Sequence, residues 1–122
     1  MTVKELYEKI GGNYDEALRR LSMDALIGKF IVRFLDDTSC GNLIRVWENQ
    51  DEKELFEAAH AAKGVCANLA LASLSEIASK VTEASRPGNE AQKEEIDLEH
   101  LMEEFKERYE SAVTEIRAFS AQ

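Results

Sequence analysis

With 122 residues, 44% of them hydrophobic, the chain has enough apolar side chains for one core and one domain, residues 1–122. A net charge of −9 and a pI near 4.7 leave no basic face for a phosphate backbone, so nucleic acid is not an expected partner. No apolar run approaches the ~20 residues a membrane span requires, and the opening residues 1–8 are polar and amphipathic, unlike a signal peptide. The two cysteines are not at ligand spacing, which reads as reduced thiols in a cytoplasmic protein.

One proline and six glycines favour long helices over many short strands. Residues 2–9 read as a short amphipathic helix with Val3, Leu6 and Ile10 on one side, stopped by Gly11-Gly12. Asn13 can cap a second short helix, Tyr14 to Leu21, with Tyr14, Ala17, Leu18 and Leu21 inward. A longer element opens near Ser22. Met23, Leu26, Ile27, Phe30, Ile31, Phe34 and Leu35 repeat there at three and four, and Ile44, Val46 and Trp47 extend the stripe. Between them Asp37-Thr38-Ser39-Cys40-Gly41-Asn42 forms helix poorly and could divide the element.

Asn49-Gln50-Asp51 makes a turn, and Asp51 caps the next helix with Glu54 three residues on, as in a capping box. That helix runs to about Leu69. Residues 72–85 form another, with Leu74, Ile77, Ala78 and Val81 inward, ended by Arg86-Pro87-Gly88-Asn89. A charged loop runs to Ile96. Asp97 then caps a last helix whose apolar repeat extends from Leu98 to Phe119. Four main amphipathic helices on short connections pack most simply as an all-α, antiparallel up-down-up-down bundle over residues 22–120, with the helices of residues 1–21 covering one end.

The helix from Asp51 carries the most informative pattern. At about 100° per residue, Leu55, Ala58, Ala59, Ala62, Val65, Cys66 and Leu69 fall on one side and His60 nearly opposite. Near His60 on the outer face lie Phe56, Glu57, Lys63, Gly64, Ala67 and Leu71. An exposed neutral imidazole is a nucleophile near neutral pH. Lys63 one turn on supplies a cation for an incoming dianionic group. Gly64 removes a side chain from the approach, at a cost of about 1 kcal/mol relative to alanine in mid-helix. Phe56, Ala67 and Leu71 read as an apolar docking rim, with Lys53, Glu57 and Lys63 as its polar edge.

The run Ala59-His60-Ala61-Ala62-Lys63-Gly64-Val65-Cys66-Ala67-Asn68-Leu69-Ala70 resembles the histidine-phosphotransfer (HPt) family of bacterial phosphorelays. His60, Lys63, Gly64, Asn68 and Leu69 stand at the family spacing. Ala62 stands where leucine is usual, and Ala70 where glycine often is. The order of helices before and after also fits. The resemblance implies a single helix from about residue 23 to Glu48. It implies His60 as phospho-acceptor on Nε2, Lys63 as its electrostatic partner and Gly64 as the clearance residue. The implied partners are response-regulator receiver domains and a hybrid histidine kinase. It also implies no kinase activity and no cofactor of the domain's own, with the receiver bringing Mg²⁺ and its own catalytic lysine. A monomer suffices, and Met1 with the ordered N-terminal helices favours a free-standing protein.

Blander readings stand beside these. A helical adaptor that never takes a phosphoryl group is the rival function, though a decayed site would be expected to lose one of His60, Lys63 or Gly64. Phe56 and Leu71 could instead pack under the N-terminal helices, and Asn68 reads as a boundary residue with a structural amide. His100 has carboxylates at Glu103 and Glu104, but a di-metal bundle needs matching units on facing helices, and the chain has only two histidines. It reads as a surface residue, Cys66 as core, and the acidic pairs Glu94-Glu95 and Glu103-Glu104 as a solvated face.

Overall fold

The computed structural model describes residues 1–89 and 96–122, and the charged loop read between Asn89 and Ile96 lies largely outside them. Among the described residues there are seven α-helices and no strand. They are α1 (Val3–Ile10), α2 (Tyr14–Leu21), α3 (Asp24–Arg33), α4 (Ser39–Glu48), α5 (Glu52–Asn68), α6 (Ala72–Ser85) and α7 (Leu98–Ser120), with a 3-10 turn, Phe34–Asp36, between α3 and α4.

Local chemistry sets most of the boundaries. Thr2 and Glu5 form a reciprocal capping box at the start of α1, each side chain accepting from the other's backbone N–H. Gly11 ends α1 in the left-handed region at φ 73°, and a Cβ there would lie 2.3 Å from Ser73 Oγ, so only glycine fits. Asn13, Asp51 and Asp97 cap α2, α5 and α7, their side chains accepting from the N–H groups of Glu16, Glu54 and His100. Pro87 excludes helical backbone from the residue before it, and Arg86 accordingly leaves α6 at ψ 132°.

One expected element is corrected. The stretch read as a continuous helix to Glu48 is broken: Asp37 is extended (φ −77°, ψ 132°), and its carboxylate accepts from the Ser39 N–H at 2.8 Å. Such short polar side chains offer the backbone a local alternative to the helix, and here three stand in succession, Asp37, Thr38 and Ser39. The stripe expected along this element also divides. Ile27, Ile31 and Phe34 are buried, whereas Met23 (53% exposed), Leu26 and Phe30 face solvent, with Arg33 lying over the Phe30 ring.

The core is one cluster to which every helix contributes. α5 lies between α4 and α6, α6 packs on α7, and α7 also touches α4, α3 and α1. Leu69, Ala70 and Leu71 alone join α5 to α6, so α6 runs back along α5. The alanines Ala58, Ala59 and Ala62 on the inner face of α5 are all buried, as the helical count requires. Leu6 and Tyr7 of α1 are fully buried, so the N-terminal helix belongs to the core itself. The Tyr7 hydroxyl donates to the Leu69 carbonyl at 2.7 Å, tying α1 to the α5–α6 turn.

Candidate functional site

His60 sits midway along α5, exposed, with no hydrogen-bond partner among the described residues. Its ring lies parallel to that of Phe56 one turn earlier, the centroids 6.0 Å apart and the planes at 11°. Helical side chains lean toward the N-terminus, which brings residues four apart together. Lys63 is half-buried one turn on, without an ion pair among the described residues. At Gly64 the space is open: a Cβ there would meet nothing within 4 Å. Lys53 and Glu57 are exposed on the same helix, Phe56 and Ala67 half-buried.

Leu71 does not join this face. The helical count sets it beside His60, but α5 ends at Asn68 and the chain turns at Ala70 (φ 56°), so Leu71 precedes α6 and is 1% exposed. The apolar rim therefore loses that member. Asn68 closes α5 on the surface, its side chain without a hydrogen bond among the described residues. The departure from family pattern at Ala70 has a visible consequence, since a left-handed backbone favours the glycine often found there.

Three residues that the sequence does not single out border the site. Arg86 places its guanidinium 5.0 Å from the centroid of the Phe56 ring. Glu83 accepts from both Nε and Nη2 of Arg86, at 3.2 and 3.0 Å. The Arg86 hydrogen bond holds the Glu83 carboxyl below its usual range, and the nearby charges of Arg86, Lys63 and His60 act in the same direction. Arg20 of α2 donates to the Ala67 carbonyl at 2.8 Å, seven residues or about 10 Å along α5 from His60. The usable signal for Glu83 and Arg86 is the three-residue α5–α6 connection, because residues equally distant from a tight turn end up side by side.

A sequence model of the Hpt domain family matches residues 23–117. The chain belongs to that family. Comparison with curated proteins and with solved structures gave no match. Hpt domains act in phosphotransfer within two-component phosphorelays, where they meet receiver domains and kinases. In this Hpt domain the matched stretch holds α3 to α6 and most of α7, with His60 inside it and α1 and α2 outside.

The remaining chemistry-bearing side chains are not organised as sites. No helix among the described residues is long and apolar enough to cross a membrane. No group of three or more His, Cys, Asp or Glu side chains among them could hold a metal ion. His100 is exposed at the start of α7. Cys40 and Cys66 are both free and buried, their sulfurs 3.6 Å apart across the α4–α5 contact. Sharing a hydrogen bond with Cys66, together with burial, keeps the Cys40 thiol protonated, so it is a poor nucleophile.

Proposed function

We propose that this Hpt domain relays a phosphoryl group between receiver-domain aspartates through His60. In this reaction the Nε2 lone pair of a neutral His60 attacks the phosphorus of a receiver's aspartyl phosphate. The P–O bond to the aspartate breaks, the carboxylate leaves, and the proton stays on Nδ1. A second receiver's aspartate then reverses the step. Lys63 supplies charge for the phosphoryl oxygens, and the open ground over Gly64 admits the partner's loop. The single observation that carries this is an imidazole without a hydrogen bond among the described residues, exposed beside a half-buried lysine and a glycine with empty space above it.

The finer points belong to the same proposal. Receivers and a hybrid histidine kinase are the partners, the receiver supplies the Mg²⁺, and the domain works as a cytoplasmic monomer in a bacterial relay. Lys53, Glu57 and Ala67 edge the docking surface. The four long elements form an up-down-up-down bundle over residues 22–120. Contacts between α4 and α5, α5 and α6, α6 and α7, and α7 and α4 are what that arrangement requires.

Incubation with a ³²P-labelled phosphorylated receiver tests the function. Label should pass to the wild-type chain and be absent from His60→Gln, with circular dichroism unchanged. Label retained by His60→Gln removes His60 from the role. A wild-type chain that binds the receiver but never takes label leaves the adaptor reading in possession.

A further inference from the structure

We infer that Phe56, steadied by Arg86 from α6, is the platform that orients the His60 ring for transfer; this rests on the phosphotransfer reading above. An exposed histidine with no hydrogen bond is poorly fixed, because its χ2 torsion is broad and roughly two-fold. Transfer to phosphorus nevertheless requires the Nε2 lone pair to lie in line with the bond that breaks. In this chain the constraint is aromatic. The Phe56 and His60 planes lie within 11° of parallel at 6.0 Å, inside the range of offset-stacked rings.

The platform is itself held. Arg86 stands 5.0 Å from the Phe56 centroid, within cation–π range, and Glu83 fixes the guanidinium through two nitrogens. Pro87 adds a covalent restraint by forcing the Arg86 backbone out of α6. A chain of contacts thus runs from the end of α6 to the imidazole: Glu83 to Arg86, Arg86 to Phe56, Phe56 to His60. A ring engaged by two neighbours of its own chain acts as a support more than as docking surface. Phe56 and Arg86 are therefore positioning residues, with no contact to the reacting atoms required of them.

The test uses the full chain and a phosphorylated receiver, with transfer followed over a range of receiver concentrations. Phe56→Leu keeps apolar bulk and removes the ring, Phe56→Tyr keeps the ring, and Arg86→Gln removes the cation. Phe56→Leu and Arg86→Gln should each lower the saturating transfer rate about five- to tenfold, with the receiver KM within about twofold of wild type. Phe56→Tyr should restore the rate. In proton NMR the His60 ring signals should shift in Phe56→Leu as the ring current of the neighbouring ring is lost, and stay near wild type in Phe56→Tyr.

A raised KM with an unchanged saturating rate in Phe56→Leu would make Phe56 a docking residue and overturn the proposal. Unmoved His60 signals in Phe56→Leu would overturn it too, because the stack would then not exist in solution. If the wild-type chain accepts no phosphoryl group, the reading of the site fails on its own account, and the ring signals still decide the stack.

Discussion

At the residue scale, two small side chains in and beside α5 make opposite demands. Gly64 has ordinary helical backbone and nothing within 4 Å of a would-be Cβ, so neither strain nor packing calls for glycine there. Gly64→Ala should therefore raise stability by up to about 1 kcal/mol, the ordinary helix preference, measured as a higher urea midpoint. If the glycine serves partner access, the same variant should slow transfer from a receiver about tenfold, although it is the more stable protein. Faster or unchanged transfer in Gly64→Ala would sink the clearance role. Ala70 is the converse case. It adopts φ 56°, where an L-residue pays about 1 kcal/mol, yet carries the methyl group. Ala70→Gly relieves that strain at the cost of a more flexible unfolded chain, so a gain of about 0.5 kcal/mol in thermal or urea unfolding is expected, and a loss would show that the buried methyl outweighs the backbone.

At the scale of elements, the connection between α1 and the α5–α6 turn carries a pH signature. Burial pushes the Tyr7 phenol up to about 12, whereas an unfolded tyrosine ionises near 10. Below pH ~10 both states hold the proton and the full stability is present. Above it the unfolded chain releases a proton that the folded chain retains, so stability falls as pH rises toward about 12. Tyr7→Phe should flatten this part of the alkaline limb, and at pH 7 should cost about 1 kcal/mol for the lost bond to the Leu69 carbonyl; urea midpoints between pH 8 and 11 measure both. The same scale marks how far the sequence is legible. α2 and α6 fall on their expected bounds, and Asp51 and Asp97 cap as read, because Pro87, Gly11 and the acidic caps act locally. The break at Asp37 is equally local in cause. It goes unread only where family likeness outweighs the run of poor helix formers. Met23, Leu26 and Phe30 mislead for another reason: periodicity places them on the apolar stripe, but only neighbouring helices determine how much of a stripe is covered. His60, Lys63 and Gly64 are visible as a spacing on one helix. Glu83 and Arg86 are not, since they reach the site across the α5–α6 contact.

At the scale of the molecule, the family match and the core have different limits. The match begins at residue 23, whereas Val3, Leu6, Tyr7, Ile10 and Ala17 all lie in the buried cluster. α1 packs on α7 and α3, its tyrosine holds the α5–α6 turn, and Arg20 of α2 takes the Ala67 carbonyl on the strip that carries His60. Each large apolar side chain fully buried contributes roughly 1.5–3 kcal/mol, and Val3, Leu6, Tyr7 and Ile10 together approach the ~5–15 kcal/mol that holds a typical domain folded. Removing the segment recovers the entropy of ordering it, which offsets part of that loss. It also uncovers the faces of α3 and α7 that the segment covers, and nothing else in the described residues replaces it there. A chain of residues 23–122 should accordingly melt at least about 10 °C below the full chain, over a broader range and with binding of a hydrophobic dye. A cooperative melt within a few degrees of the full protein would instead make α1 and α2 a removable cap on a self-sufficient bundle. Transfer by the shortened chain separates the two outcomes again, because loss of the Tyr7 and Arg20 contacts loosens the end of α5 from which Ala67 and Gly64 lead back to His60.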